Sequence, residues 1–182
     1  MVDDSEILSK FELESTRNEA FRLLLNKYQQ KIYWHIRRLV IDHDDTDDLV
    51  QEVFIKVWKS LSNFRNDSQL YTWLYRIATN ESITFINRKK HKNNISLNES
   101  AGYDLAKTLA DSPYFDGDNA QMKLQKALLT LPEKQRLVFN MKYYDDLKYE
   151  EISEILGTTV GGLKASFHIA VKKIEDYLLN TD

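Results

Sequence analysis

Apolar side chains recur at three- and four-residue spacings along most of the chain, which is the pattern of amphipathic α-helices. The first run includes Phe21, Leu24, Leu25, Tyr28, Ile32, Ile36 and Leu39. Thr16 and Glu19 stand at the spacing of a capping box, so the first of one or two amphipathic helices is predicted to start there. Residues 1–17 are predicted to be an N-terminal tail. Residues 42–45, Asp-His-Asp-Asp, interrupt the pattern and predict a turn that supplies the next N-cap.

Two further helices are predicted in the first half of the chain. In the helix over 47–58, one face carries the apolar residues Leu49, Val50, Val53, Phe54, Val57 and Trp58. Another face carries Asp48, Gln51, Glu52 and Ile55, and acids in the first turn suit the positive end of the helix dipole. After a polar loop over 63–68, a third helix is predicted from Gln69 to about Lys90, ending in the basic run 88–92.

The helical pattern is lost over residues 93–118, where Asn, Ser, Asp and Gly accumulate, so this segment is predicted to be a linker. Residues 96–120 carry five acidic side chains and one lysine. Helices resume at about Asn119 with one over 122–129 and one that has Pro132 as its first residue. A short helix over 149–156, Gly157 and a final helix from Val160 to about Leu179 complete the prediction. We therefore expect an all-α chain.

Composition narrows the class of protein further. The 182 residues are 42% hydrophobic, which is enough for a buried core, and they include no cysteine, so disulfides and thiolate chemistry are excluded. The acidic start of the chain is unlike a signal peptide, and no apolar run is long enough to span a bilayer. We expect a soluble, cytoplasmic protein with no membrane insertion. Its net charge of −3 argues against coating DNA by bulk charge.

Residues 149–174 have the pattern of a helix-turn-helix. Ser153 is small where two helices would cross, Gly157 suits a turn with positive φ, and apolar residues fill the facing positions. The second helix carries Lys164, Lys172 and Lys173, and no acid lies between Thr159 and Ile174. Its first turns would point at base edges and phosphates in a major groove. A plain helical hairpin with solvated lysines is the alternative.

Two other segments have candidate binding chemistry. The helix 69–92 combines aromatic side chains (Tyr71, Trp73, Tyr75, Phe85) with five basic residues and one acid, which suits single-stranded bases. Trp73 could instead be a core residue. The polar stripe of the helix 47–58 is either a solvated face or a docking surface for a basic partner helix. Nothing predicts an enzyme: the four histidines have no metal-ligand spacing and no phosphate-binding glycine loop occurs, so no catalytic residue, metal or cofactor is expected.

Taken in order, these three segments resemble bacterial RNA polymerase sigma factors of the extracytoplasmic-function (ECF) group of the sigma-70 family. The sequence DDLVQEVFIKVW (residues 47–58) is similar to the family's helix that binds core polymerase. TWLYRIATN (residues 72–80) is similar to its −10 element helix. Residues 128–133 and 149–157 are similar to its C-terminal −35 element domain. The resemblance covers about residues 18–92 and 120–178.

The resemblance implies a two-domain sigma factor that recognises −35 and −10 promoter elements and helps to melt DNA. Residues 18–92 would be region 2, residues 93–118 a flexible linker, and residues 119–182 region 4. Region 2 would bind the β′ clamp helices of core RNA polymerase, and region 4 the β flap. An anti-sigma factor is a further candidate partner. In the family the linker threads the RNA channel, where an acidic strip could stand in for RNA; plain solvation is the alternative.

The resemblance also assigns site residues. The core-polymerase-binding set is Asp47, Asp48, Gln51, Glu52 and Ile55. The set that binds single-stranded −10 DNA is Asn63, Arg65, Asn66, Ser68, Tyr71, Trp73, Arg76, Asn80, Arg88 and Lys89. The set that binds duplex −35 DNA is Thr159, Gly161, Gly162, Lys164, Ala165, His168 and Lys172.

The chain departs from the family pattern in its C-terminal motif. Lys148 stands where the family often has a capping Ser or Thr, so either Asp145 or Asp146 caps the helix at 149 or that end of the helix frays. Ser166 and Ile169 replace two arginines, so fewer phosphate contacts are expected. Gly162 costs helix stability of about 1 kcal/mol relative to alanine, or permits close approach to DNA.

Two other functions compete with the sigma-factor interpretation. A stand-alone helix-turn-helix regulator would bind its operator without polymerase, and it leaves the polar stripe and the basic aromatic helix without a role. A helical interaction protein, such as an anti-sigma factor or scaffold, would not support base-specific transcription at all.

Overall fold

The computed structural model describes residues 2–92 and 119–180. Within these ranges the regular structure is helical and contains no strand, which confirms the all-α prediction. The chain divides into two compact units, residues 1–85 and 86–182, so the division falls within the last helix of the first unit. The predicted linker, 93–118, lies outside the described residues.

Four α-helices and a short 3₁₀ turn begin in the first half of the chain. They are α1 (Asp4–Glu12), α2 (Arg17–Val40), α3 (His43–Ser60), the 3₁₀ turn Leu61–Asn63 and α4 (Leu70–Lys92). The second unit contains α5 (Asn119–Leu129), α6 (Glu133–Tyr143), α7 (Tyr149–Leu156) and α8 (Val160–Leu179).

Helix α1 occupies part of the segment 1–17, which was predicted to be only a tail. Ile7 and Phe11, one turn apart, are buried where α1 packs against α2 and the 3₁₀ turn. The ring of Phe11 meets Trp58 edge-on at 5.3 Å between centroids, and Phe21 meets the same indole at 4.9 Å. The N-terminal segment is therefore part of the core of the first unit.

A polar cluster also attaches α1 to α2. Asp4 accepts hydrogen bonds from Lys27 Nζ at 2.7 Å and from the Tyr28 hydroxyl at 2.8 Å. Burial raises the pKa of the Tyr28 phenol above its usual value, and the neighbouring Asp4 carboxylate raises it further. Tyr28 therefore acts as a hydrogen-bond donor that fixes the start of α1.

The predicted capping box at Thr16 is wrong. The Thr16 side chain makes no N-cap hydrogen bond; its hydroxyl donates to the carbonyl of Lys10 at 2.7 Å. Glu19 accepts from Lys10 Nζ at 2.9 Å instead of reaching back to the start of α2. Because α1 folds against α2, both side chains find partners on α1.

Helix α3 starts four residues earlier than predicted. Ile41 has φ 72°, which reverses the chain between α2 and α3. Asp42 is the N-cap, as expected for this segment, and its carboxylate accepts from Asp45 N–H at 3.0 Å. The turn is therefore confined to residues 41 and 42, and residues 43–45 form the first turn of the helix.

A buried polar contact joins α2 to α4. His35 is fully buried, and its Nε2 lies 2.9 Å from Thr79 Oγ1. The imidazole also meets the ring of Tyr75 edge-on at 4.8 Å. This contact fixes the orientation of α4 about its axis, and so determines which of its side chains reach the surface.

The second unit packs α8 against α5, α6 and α7. Its core includes Ala127, Leu128, Leu131, Phe139, Ala170 and Ile174. Phe139 stacks on Phe167 of α8 at 5.6 Å between ring centroids. Pro132 is the N-cap of α6 and not its first residue, a shift of one position from the prediction.

The turn between α7 and α8 has the geometry that the sequence predicts. Gly157 adopts φ 63° and its N–H donates to the carbonyl of Ser153 at 2.9 Å. Thr159 caps α8 by accepting from Gly162 N–H at 3.2 Å. The expected cap of α7 by Asp145 or Asp146 is wrong. The N-cap is Lys148, and its backbone N–H donates a hydrogen bond to the Glu151 carboxylate at 2.7 Å.

Replacing Phe11 with alanine tests the structural role of α1. We expect the free energy of unfolding of the first unit to fall by about 3–5 kcal/mol, because removal of the buried Phe11 ring would leave a cavity beside Trp58. Urea unfolding followed by tryptophan fluorescence measures the change. Leu13→Ala is the control, since Leu13 is 61% exposed; a loss as small as that of the control would contradict the packing of α1.

Candidate functional site

All seven predicted −35 residues lie on exposed positions at the start and outer surface of α8. The opposite side of the helix packs into the unit through the buried residues Leu163, Ala170 and Ile174. The helix-turn-helix therefore holds α8 by one face and leaves the other open along more than three turns. The roles of the seven residues remain predictions.

The exposed surface of α8 is basic. No acidic residue occurs between Thr159 and Ile174, while Lys164, Lys172 and Lys173 are exposed. Two of these lysines contact neighbouring helices: Lys164 Nζ lies 5.7 Å from the centroid of the Tyr149 ring, and Lys173 Nζ donates to Gln135 Oε1 at 3.1 Å. A surface of this charge attracts phosphate groups.

The two adjacent glycines of α8 differ in their surroundings. A Cβ added at Gly162 would lie 3.2 Å from Thr159 Oγ1, the atom that caps the helix, whereas one added at Gly161 would meet nothing within 4 Å. Glycine at position 162 therefore leaves room for the Thr159 side chain that caps the helix. Gly161 leaves the outer surface of α8 without a side chain at the N-terminal end of the helix.

The predicted −10 residues fall into two groups. Asn63, Arg65, Asn66, Asn80, Arg88 and Lys89 are exposed, while Ser68, Tyr71, Trp73 and Arg76 are half-buried. The ring of Trp73 packs on Phe64 at 5.2 Å between centroids. Trp73 therefore contacts the loop through Phe64 and is also partly exposed at the surface. Tyr75, which the sequence offered as a further aromatic contact, is buried against His35.

Arg76 has an incomplete set of partners. Its Nε is buried and finds no hydrogen-bond acceptor among the described residues. A buried guanidinium nitrogen left unpaired is costly, and an external acceptor such as a phosphate oxygen or a base would satisfy it.

Helix α1 forms one wall of a cavity beside the 63–68 loop, a feature that the sequence analysis missed. The cavity has a volume of about 520 Å³ and is lined by Asp4, Ser5, Leu8, Ser9, Glu12, Asn66, Ser68, Gln69 and Leu70. A second cavity of about 230 Å³ shares Leu8, Glu12 and Asn66 with it. Asn66 has φ 56° and bends the loop between the two. The four-residue spacing of Ile7 and Phe11 was the signal that could have revealed α1.

The predicted polymerase-binding residues form one exposed stripe on α3. Asp47, Asp48, Gln51, Glu52 and Ile55 are all exposed, and Ile55 is 55% accessible. The inner face of the same helix is buried through Leu49, Val50, Val53, Phe54 and Val57. An ion pair between Lys56 and Glu81 joins α3 to α4 beside the stripe. The stripe thus has an apolar residue at one end of a polar and acidic surface.

Neither a metal site nor a membrane-spanning helix occurs in the described parts of the chain. No group of three or more His, Asp or Glu side chains there could hold a metal ion. No helix among the same residues is long and apolar enough to cross a membrane.

Two stretches of the chain match family models of known proteins. Residues 24–92 match the family model of sigma-70 region 2, and residues 121–174 match that of sigma-70 region 4. Among curated relatives, the RNA polymerase sigma-H factor of Pseudomonas aeruginosa is 32% identical over 87% of this chain and 86% of its own. The ECF RNA polymerase sigma-E factor of Haemophilus influenzae is 31% identical over 87% of each chain.

Solved structures show the same fold. The sigma factor RpoE, in complex with the anti-sigma factor NepR from Bartonella quintana, matches with a TM-score of 0.72 and 22% identity, over 89% of this chain and 98% of that one. CnrH, in complex with the cytosolic domain of CnrY, matches with a TM-score of 0.69 and 21% identity, over 98% of this chain and 100% of that one.

Two helical units, one with an open helix-turn-helix and one with a basic aromatic helix, define a protein of the transcription-initiation class. The chain belongs to the ECF group of the sigma-70 family of sigma factors. Its function is promoter-specific initiation of transcription, and the stand-alone regulator is not favoured. Sigma factors are generally non-catalytic initiation factors.

Proposed function

We propose that the exposed stripe of α3 docks on the β′ clamp helices of core RNA polymerase. Ile55 supplies an apolar contact, and Asp48, Gln51 and Glu52 supply a polar, acidic rim that suits a basic partner helix. The support is geometric: the stripe is exposed as a unit while the opposite face of α3 is buried in the core. Because core polymerase is the proposed partner, the proposed place of action is the cytoplasm.

The loop over 63–68 and the surface of α4 are proposed to bind the melted −10 strand. Exposed Arg65, Arg88 and Lys89 attract the phosphates, and half-buried Tyr71 and Trp73 offer rings on which bases stack. The cavity between the loop and α1 has room for a flipped base, and the unpaired Nε–H of Arg76 can donate to a new acceptor. Helix α1 is thus proposed as one wall of the base site.

The outer surface of α8 is proposed to enter the major groove of the −35 element. The observation that carries this proposal is the exposed, acid-free face from Thr159 to Lys172, held rigidly by a buried opposite face. Region 4 is proposed to sit on the β flap, which would bring α8 to the DNA beside polymerase. No catalytic activity is proposed for the chain.

An anti-sigma factor is proposed as a regulator of this chain. The support is that RpoE, which has the same fold, was captured in complex with the anti-sigma factor NepR. CnrH, which also has this fold, was captured in complex with the cytosolic domain of CnrY. Pull-down of the tagged chain from its own cells tests the proposal. Recovery of a protein that blocks core binding supports it, and recovery of polymerase subunits alone contradicts it.

In vitro transcription with core polymerase and genomic DNA is the direct test of the proposed function. We expect start sites that appear only when the chain is added, with shared sequence elements near −35 and −10. Start sites that are identical with and without the chain would contradict the proposal.

Lys164→Ala tests the placement of α8. We expect weaker use of promoters with a −35 element, and a salt dependence of binding that falls by about one phosphate contact. Titration of holoenzyme binding against salt measures the slope. Lys126→Ala is the matched control, because Lys126 is exposed on α5. An unchanged slope in the Lys164 variant would show that α8 is not at the phosphates.

A further inference from the structure

Ile169 is an exposed apolar residue in the middle of the basic surface of α8. It is 44% accessible, although the helix buries Leu163, Ala170 and Ile174 on its other side. The spacing of Gly162, Ala165 and Ile169, three and four residues apart, places them in one row on the outer surface. We name this row the apolar strip.

The core of the second unit does not account for the exposure of Ile169. The aromatic side chain that α8 gives to the core is Phe167, which stacks on Phe139 at 5.6 Å. Ile169 stands two positions later, turned about 160° away from Phe167 by the helical repeat of 3.6 residues. Ala165 and Gly162 are exposed beside it, so the core formed by the described residues leaves the strip uncovered.

The surroundings of the strip indicate what covers it. Lys164 and His168 lie on one side of Ala165 and Ile169, Lys172 follows one turn later, and no acid occurs on this part of the helix. The occupant must therefore be anionic around its edges and apolar where it meets the strip. Duplex DNA has this combination in the major groove, where phosphates border the groove and the 5-methyl group of thymine is apolar.

We propose that the apolar strip reads thymine: Ile169, with Ala165 beside it, contacts the 5-methyl group of a thymine in the −35 major groove. This inference rests on the proposed entry of α8 into that groove. It assigns a base preference to a position that carries no hydrogen-bonding side chain. Gly161, where an added Cβ would meet nothing within 4 Å, leaves room for base pairs to approach the N-terminal end of the helix.

The test removes only the methyl group. Holoenzyme made with core polymerase is presented with a −35 duplex in which each thymine, on either strand, is replaced in turn by deoxyuridine. We expect one or two positions at which binding falls about fourfold, the effect of losing one buried methyl-sized group. At those positions Ile169→Ala should bind thymine and deoxyuridine equally well. Ile169→Val should retain the preference for thymine.

Leu179→Ala is the matched control, because Leu179 is an exposed apolar residue near the end of the same helix. It should leave the thymine preference unchanged. Equal binding of thymine and deoxyuridine at every position by the wild-type holoenzyme would overturn the inference. So would an Ile169→Ala loss that is the same on every −35 sequence, which would indicate a protein partner for the strip.

Failure of the inference is separable from failure of the proposed function. If a scrambled −35 element lowers binding while deoxyuridine does not, α8 reads the element by other contacts and only the thymine assignment fails. If a scrambled element binds as well as the original, the placement of α8 in the groove fails with it.

Discussion

Replacing Gln51 and Glu52 together by lysine is expected to abolish binding to core polymerase. Both side chains are exposed on α3, so the fold should survive the change. A basic partner helix would then face three additional units of positive charge. Because like charges brought together at an interface cost several kcal/mol, affinity should fall by about 100-fold or more. Competition binding to core polymerase measures the loss.

The control for this variant makes the same charge change elsewhere in the first unit. Gln30 and Glu14 are also exposed, on α2 and between α1 and α2, so Gln30→Lys with Glu14→Lys matches it in charge and residue type. We expect the control to bind core polymerase with nearly normal affinity. Equal affinity of the two double variants would contradict the assignment of the stripe, and circular dichroism checks that both remain folded.

Phe64→Ala is expected to reduce promoter melting strongly while leaving polymerase binding intact. Phe64 packs on Trp73 at 5.2 Å and so anchors the 63–68 loop to α4. Without the anchor, several loop side chains must be ordered when the DNA binds, at roughly 0.5–1.5 kcal/mol each. Open-complex formation should therefore fall by about 10- to 100-fold. Permanganate reactivity of unpaired thymines at the −10 element measures it.

Leu13→Ala is again the appropriate control, since Leu13 is exposed and does not line either cavity beside the loop. It should melt promoters at the wild-type rate. Normal melting by the Phe64 variant would mean that the order of the loop is not needed to capture the strand. Loss of core binding together with melting would instead indicate general unfolding of the first unit.

The two helices of the helix-turn-helix in the second unit could be predicted to the residue. The helices over 149–156 and 160–179 are confirmed because local signals at their ends agree with their packing: Gly157 has positive φ, and Thr159 caps the following helix. The starts of α3, α5 and α6 were displaced by four residues, three residues and one residue. At such ends one side chain decides the boundary, and several adjacent residues were able to cap.

The first unit was harder to predict where distant segments meet. Helix α1 is short and its apolar face holds few residues, so its stability comes from Trp58 and from Asp4 bonded to α2, neither of which is a local signal. The same packing redirects Thr16 and Glu19 from the predicted capping box to Lys10. The cap of α7 was missed because Glu151 accepts the N–H of Lys148 from within the helix.

The candidate site could be predicted as a set of exposed faces and not as a set of cavities. The stripe of α3 and the outer face of α8 follow from helical periodicity, because the buried face determines the exposed one. The cavity beside the 63–68 loop depends on α1 and on the left-handed conformation of Asn66, which periodicity does not encode. Burial of Tyr75 likewise depends on its contact with His35 of α2.

Selectivity is expected only when polymerase holds both units on one DNA. The chain has a net charge of −3, so it releases few counterions on binding duplex DNA and should bind weakly alone. On polymerase, the second contact becomes intramolecular and two weak sites act at high effective concentration. Gel-shift titration of a mapped promoter and a scrambled duplex, with and without core polymerase, tests this directly. Discrimination that appears only with core polymerase is the predicted result; tight, promoter-selective binding by the chain alone would contradict the account.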